Sequence, residues 1–275
     1  MYIEGEIRKM SVHLNDEDIV EYKMIFFDSV TQEEKSIPLN EYIGKKISLA
    51  FSGEIYCKKC GNKTKTSYNQ GFCYKCFKNA PESAECIIRP ELCRAHLGEG
   101  RDVEWEEKNH NQPHYVYLAA TDVVKVGVTR STQIPTRWID QGANEAIILA
   151  ETPNRYLAGV IEVALKSEFT DKTNWRKMLL NHIDESIDLE EIKWRLEELL
   201  PSDIAEYFSE EDDVTTIDYP VLEYPIKITS LNLDKSPEIK GRLLGIKGQY
   251  FLLDSGRVIN IRRHTSYKVK FQIEE

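Results

Sequence analysis

Residues 114–130 read HYVYLAATDVVKVGVTR. Two runs rich in β-branched and aromatic residues, 115–119 and 123–129, flank the short connection Ala120-Thr121-Asp122, which is a hairpin pattern. Downstream, Pro135 and Gly142 stand where the first residue and the C-terminal cap of a helix belong. The run AIILA at 146–150 is strand-length and apolar throughout, so it reads as a buried strand. Thr152-Pro153 then opens a helix in which Leu157, Ile161, Ala164 and Leu165 recur at helical spacing. Further helices are predicted at 175–182 and 189–200. The latter is amphipathic through Leu189, Ile192, Leu196 and Leu199, and Pro201 ends it.

The flanks of this α/β layer have a different character. Residues 2–9, 19–27 and 46–51 alternate or are β-branched and aromatic, and the chain after residue 219 is again strand-like, with turns marked by Gly241, Gly245, Gly248 and Gly256. The expected division is a β-rich segment at 1–55, a zinc-binding module at 56–112, the α/β domain at 113–182, an acidic helical segment at 183–217 and a β-rich segment at 218–275 that pairs with 1–55. With 275 residues, 41% hydrophobic and 30% charged, the chain is globular rather than disordered or fibrous. No apolar run approaches the roughly 20 residues that span a bilayer, and MYIEGEIRKM lacks the apolar region of a signal peptide. A cytoplasmic protein without membrane contact is expected.

A net charge of -10 argues against nucleic acid, but the charge is unevenly placed. Residues 57–78 hold six lysines and no acid; 255–270 hold Arg257, Arg262, Arg263, Lys268 and Lys270 and no acid; 182–213 hold 13 acids against Lys193 and Arg195. The cysteines carry the strongest signal. Cys57-x2-Cys60 and Cys73-x2-Cys76, with 12 residues between, have zinc-ribbon spacing, and four thiolates leave a tetrahedral ion no open position. Lys63 and Lys65, interleaved with Tyr68, Phe72, Tyr74 and Phe77, suit phosphate contact and base stacking, or solvate a small aromatic core. Cys86-x6-Cys93-x2-His96 supplies three ligands of a second zinc site, with His110 or His114 as the fourth.

The hairpin residues His114 to Leu118, then Lys125-Val126-Gly127-Val128-Thr129, then Arg137 and Glu162 on successive helices, resemble the GIY-YIG nuclease-like superfamily over about a quarter of the chain. The whole sequence also resembles a bacterial family of unassigned activity that joins cysteine motifs to such a domain. The resemblance implies an α+β protein with a GIY-YIG-like layer, and an endonuclease-type phosphodiesterase acting on DNA or RNA with Mg2+ or Mn2+. Tyr117 matches the first motif's tyrosine and would orient or deprotonate water; Arg137 would neutralise the phosphoryl group; Glu162 would hold the metal. Lys125 stands where the second motif has tyrosine, and Gln141 where many members have histidine. The family's late asparagine has two candidates, Asn174 and Asn181.

At 100° per residue Arg155 and Glu162 share a helix face, with Ala158 and Gly159 between them leaving room for an approaching group. Arg155, Lys63, Lys65 and Arg262 are therefore the expected phosphate contacts, and the loop 130–136 could cradle phosphate or simply connect. The sequence thus supports a zinc-containing metal-dependent phosphodiesterase. Its alternatives are a catalytically degenerate nucleic-acid binder and a zinc-stabilised protein-interaction scaffold.

Overall fold

In the computed structural model the described residues are 2–169 and 174–274. In chain order the strands and helices begin with β1 (Tyr2–Ile7), β2 (Ser11–Leu14), β3 (Val20–Asp28), β4 (Glu33–Pro38), β5 (Lys46–Tyr56), β6 (Lys63–Thr64), α1 (Tyr74–Asn79) and α2 (Val103–His110). There follow β7 (His114–Ala120), β8 (Val124–Arg130), α3 (Thr136–Gln141), β9 (Glu145–Thr152), α4 (Arg155–Ala164), α5 (Trp175–Leu179) and α6 (Leu189–Glu197). The last strands are β10 (Thr215–Thr216), β11 (Thr229–Ser230), β12 (Glu238–Lys247), β13 (Tyr250–Leu253), β14 (Arg257–Asn260) and β15 (Tyr267–Glu274). The fold is α+β with two sheets. The chain divides into two compact units: Met1–Lys78 with Ile139–Gly142 and Asp218–Glu275, and Asn79–Trp138 with Ala143–Ile217.

The first unit is a sheet of order β11-β14-β13-β12-β5-β15-β1-β3-β2, with β4 on β3 and β6 on β5. Its ends meet: β1 pairs antiparallel with β15, Gly5 opposite Val269. Strand β15 buries Tyr267, Val269, Phe271 and Ile273 and leaves Lys270, Gln272 and Glu274 exposed, the period-2 pattern of a sheet with one wet face. Phe271 packs on Phe26 and Phe251 at ring distances of 6.2 and 6.5 Å.

The second unit has a sheet of order β10-β9-β7-β8. Val116, Leu118 and Ala120 of β7 meet Ala158 and Ile161 of α4, Leu165 just after it, and Leu189 and Leu196 of α6 in one buried cluster. Asn154 caps α4 by accepting from the Leu157 N–H at 3.0 Å. Residues 81–97, a strap of short helical turns, lie against α4. The contact is backbone on backbone: a Cβ on Gly159 would fall 2.2 Å from the Glu91 nitrogen. The room beside Gly159 is therefore taken by the chain's own strap. Helix α6 also differs from the expected solvated face. Lys193 is fully buried, its Nζ donating to the Glu211 carbonyl and, at 3.0 Å, to Asp212 Oδ1.

Candidate metal and anion sites

Cys57, Cys60, Cys73 and Cys76 bring their sulfurs within 4.8 Å of one another. The local chain explains this. Cys57 follows β5 and turns tightly, the Gly61 N–H donating to its carbonyl at 2.8 Å, and β6 pairs back onto Ile55 and Tyr56. Phe72 is buried, Tyr68 and Phe77 are half-buried and stack at 5.9 Å, and Tyr74 is exposed. Burial pushes the Cys57 thiol up, but backbone N–H groups of Cys73, Cys60 and Lys59 outweigh it and bring the thiol down to about 7. Four clustered thiols, one of them readily ionised, fit a structural metal site.

A second cluster lies in the other unit: Cys86, Cys93 and His110, all buried, with ligand atoms within 4.8 Å of one another. Cys93 Sγ is 3.5 Å and Cys86 Sγ 4.0 Å from His110 Nδ1. The hydrogen bond from the Cys86 thiol holds Cys93 down to about 4, with His110 adding to it. His96, the residue suggested by the Cys-x2-His spacing, is exposed and stacks on Tyr156 at 4.6 Å. It sits in the short helical turn Ala95–Leu97, outside the group formed by Cys86, Cys93 and His110. His114 is turned elsewhere too. It is fully buried, its Nδ1 donates to the Gln112 carbonyl at 2.7 Å, and Nε2 has no hydrogen-bond partner among the described residues. Burial lowers its pKa to about 4, so it stays neutral.

Arg130, Arg137 and Arg155 line a cavity of about 210 Å³, together with Asn109, Gln133 and His110, and among the described residues no carboxylate lines it. Asn109 Oδ1 accepts from Arg130 Nη1 at 2.6 Å. Arg155 is buried on α4, and its Nε and Nη2 donate to the carbonyls of Cys86 and Ile87, both at 2.9 Å. It thus anchors the strap as well as facing the cavity. Arg137 is half-buried, and its side chain makes no hydrogen bond or ion pair among the described residues. Glu162, nearly two turns along α4 from Arg155, has its carboxyl raised to about 7, chiefly by burial; Arg155 opposes that shift, Glu91 adds to it and Arg137 opposes it.

The other predicted residues are dispersed. Tyr117 is fully buried and faces Gly127 across the hairpin, with Trp138 at 6.1 Å. Val116 and Leu118 point to α4, so strand alternation turns Tyr117 to the opposite sheet face from Glu162. A role touching solvent or substrate needs exposure that this hydroxyl lacks. Lys125 is half-buried on the same strand face as Gly127. Gln141 belongs to the first unit. Asn174 caps α5 by accepting from the Arg176 N–H, whereas Asn181 takes a positive φ of 55° beyond it. Residues 170–173 of the expected 113–182 domain lie outside the described residues. In the first unit Lys63 pairs with Glu54 at 2.6 Å, Arg262 donates to Gln70 Oε1 and lies 3.6 Å from Asp140, and Lys65 is exposed. His264 is buried as a structural bridge between the Asn260 carbonyl and the Leu233 N–H. Sequence reasoning passed over Asn109 and Gln133 and left Arg130 in a loop of open role. No short motif joins them, because they come from α2, from the end of β8 and from the loop before α3.

Fold and sites together define an α+β protein of two compact units with two thiol-based clusters. The chain belongs to the family described as Protein of unknown function (DUF2797), which matches residues 44–269. No curated protein and no solved structure matches it. Among the described residues no helix is long and apolar enough to cross a membrane.

Proposed function

We propose that this protein binds nucleic-acid phosphate in the arginine cavity of its second unit and holds zinc in the four-cysteine cluster of its first. The observation that carries the reading is Arg137, a guanidinium without an ion pair among the described residues, beside Arg130 and Arg155 in a cavity that no described carboxylate lines. Cations gathered in partly desolvated space repel one another, and an anion relieves the repulsion. The planar fork of arginine matches phosphate oxygens. Zinc is assigned to the four thiols because soft thiolates in tetrahedral number select it.

A second reading, cleavage of the bound phosphodiester with Mg2+ or Mn2+, is favoured by Glu162 and Glu91, whose charges oppose each other on the face of α4. A divalent cation would relieve that opposition, and Glu162 would be its ligand. Tyr117 is not assigned the base in this reading.

The test is binding of labelled single- and double-stranded DNA and RNA across a salt series, followed by incubation with Mg2+ or Mn2+. Steep loss of affinity with salt, weakened by Arg137→Ala, supports phosphate binding. No binding at low salt sinks it and leaves the interaction scaffold. Cleavage abolished by Glu162→Ala and Arg137→Ala, with fold intact, would establish the phosphodiesterase.

A further inference from the structure

We propose that Cys86, Cys93, His110 and Glu106 form a second, closed zinc site in which Glu106 is the fourth ligand. Glu106 Oε2 lies 3.8 Å from His110 Nδ1. Around a tetrahedral zinc with ordinary bond lengths, neighbouring ligand atoms stand about 3.4–3.8 Å apart. The two sulfur–nitrogen distances, 3.5 and 4.0 Å, and this oxygen–nitrogen distance fall close to such edges, while the carboxylate stands outside the 4.8 Å limit that groups the two thiols with His110, so ligation requires it to close on the thiols.

The local structure prepares the carboxylate for this use. Glu106 and His110 are four residues apart on α2, so they share one face of the helix. Both are 3% exposed. The Arg101 N–H donates to Glu106 Oε1 at 2.8 Å and fixes the group, leaving Oε2 directed at the histidine. Gly100 makes the space: a Cβ there would fall 2.4 Å from the carboxyl carbon. Among the described residues no Lys or Arg side chain reaches Glu106 within ion-pair distance. A buried carboxylate without a cation is costly, and a metal ion supplies one. Two thiolates, a carboxylate and a neutral imidazole give Zn2+ a net charge of -1. The Arg155 guanidinium, bonded to the Cys86 carbonyl, offsets that charge.

A closed site of this kind is structural. It ties the strap, through Cys86 and Cys93, to α2, through Glu106 and His110, as Arg155 and Gly159 tie the strap to α4. It is independent of nucleic-acid binding, because metal content is read without any nucleic acid.

The test is elemental analysis of the purified full chain, with Co2+ substitution and competition against a graded series of chelators. Two zinc ions per chain are expected. Glu106→Gln should weaken only the second ion, by roughly a hundredfold or more, a larger loss than the 10–100-fold typical of an outer-shell change. The four-thiolate cobalt spectrum and the circular dichroism should stay unchanged, which shows that the variant folds. His110→Ala should remove the second ion, whereas His96→Ala and His114→Ala should keep it. One zinc per chain with only a four-thiolate cobalt spectrum would overturn the site. Native-like affinity in Glu106→Gln, or loss of the second ion in His96→Ala or His114→Ala, would overturn the ligand assignment.

Discussion

Gly159→Ala turns the packing of the strap into a sign. In a free helix alanine is better than glycine by about 1 kcal/mol, so propensity alone makes the substitution stabilising. In this protein the new methyl would meet the Glu91 nitrogen at 2.2 Å and the Pro90 carbonyl carbon at 2.4 Å. Carbon–heavy-atom contacts settle near 3.5 Å, so the strap must retreat by about 1 Å. Both partners are backbone and cannot rotate away. Overpacking of this kind costs about 1–3 kcal/mol. The retreat also stretches the two 2.9 Å bonds from Arg155 to the Cys86 and Ile87 carbonyls. Losing one such charged bond costs about 1.5–3 kcal/mol. After subtracting the propensity gain, the variant should be less stable by about 2–5 kcal/mol. For units of this size that lowers the melting temperature of the affected transition by roughly 5–15 °C. Thermal denaturation followed by circular dichroism measures it, and thiol titration should find Cys86 and Cys93 reacting faster. An unchanged or raised melting temperature would refute the reasoning, because the strap could not then be seated on α4 through Gly159.

Other outcomes follow from the same contacts. Arg137→Ala should weaken nucleic-acid binding by roughly 10–100-fold and lower the salt slope by about one, measured by titrations at several salt concentrations. Tyr117→Phe should leave binding and any cleavage unchanged, since its ring is fully buried; a loss of activity with unchanged melting would restore the tyrosine to the site. Two buried groups should oppose each other in the acid dependence of stability. Burial lowers His114 to about 4, so as pH falls from 6.5 the unfolded chain gains a proton the folded one refuses, and stability is lost. Burial raises Glu162 to about 7, so as pH falls from 7 toward 4.5 the folded chain gains a proton first, and stability is recovered. Melting curves between pH 4.5 and 7 should therefore fall more steeply with acid in Glu162→Gln, and less steeply in His114→Gln, than in the native chain. Chelation of the four-cysteine metal should raise hydrogen exchange across residues 57–78, where the small aromatic core is the other support.

The features legible in the sequence are those whose cause is local. Alternation and a short connection specify the hairpin of β7 and β8, because side-chain direction in a strand has period two. The Cys-x2-Cys pairs specify their own cluster, because each tight turn brings two thiols to one point whatever the rest of the chain does. What the tertiary structure decided are choices among equals at long range. Three histidines had plausible spacing to Cys86 and Cys93; the helix α2 carried His110 to the thiols, while a short turn sent His96 outward and β7 took His114 into the core. The open face beside Gly159 was visible on a helical projection, but not that the strap at residues 81–97 would fill it. Tyr117, apt for chemistry by its motif, was placed by strand alternation on the sheet face away from Glu162. Arg130, Arg137 and Arg155 acquire meaning only together, and the sheet and helices that bring them to one cavity are held by apolar burial, which is indifferent to sequence distance.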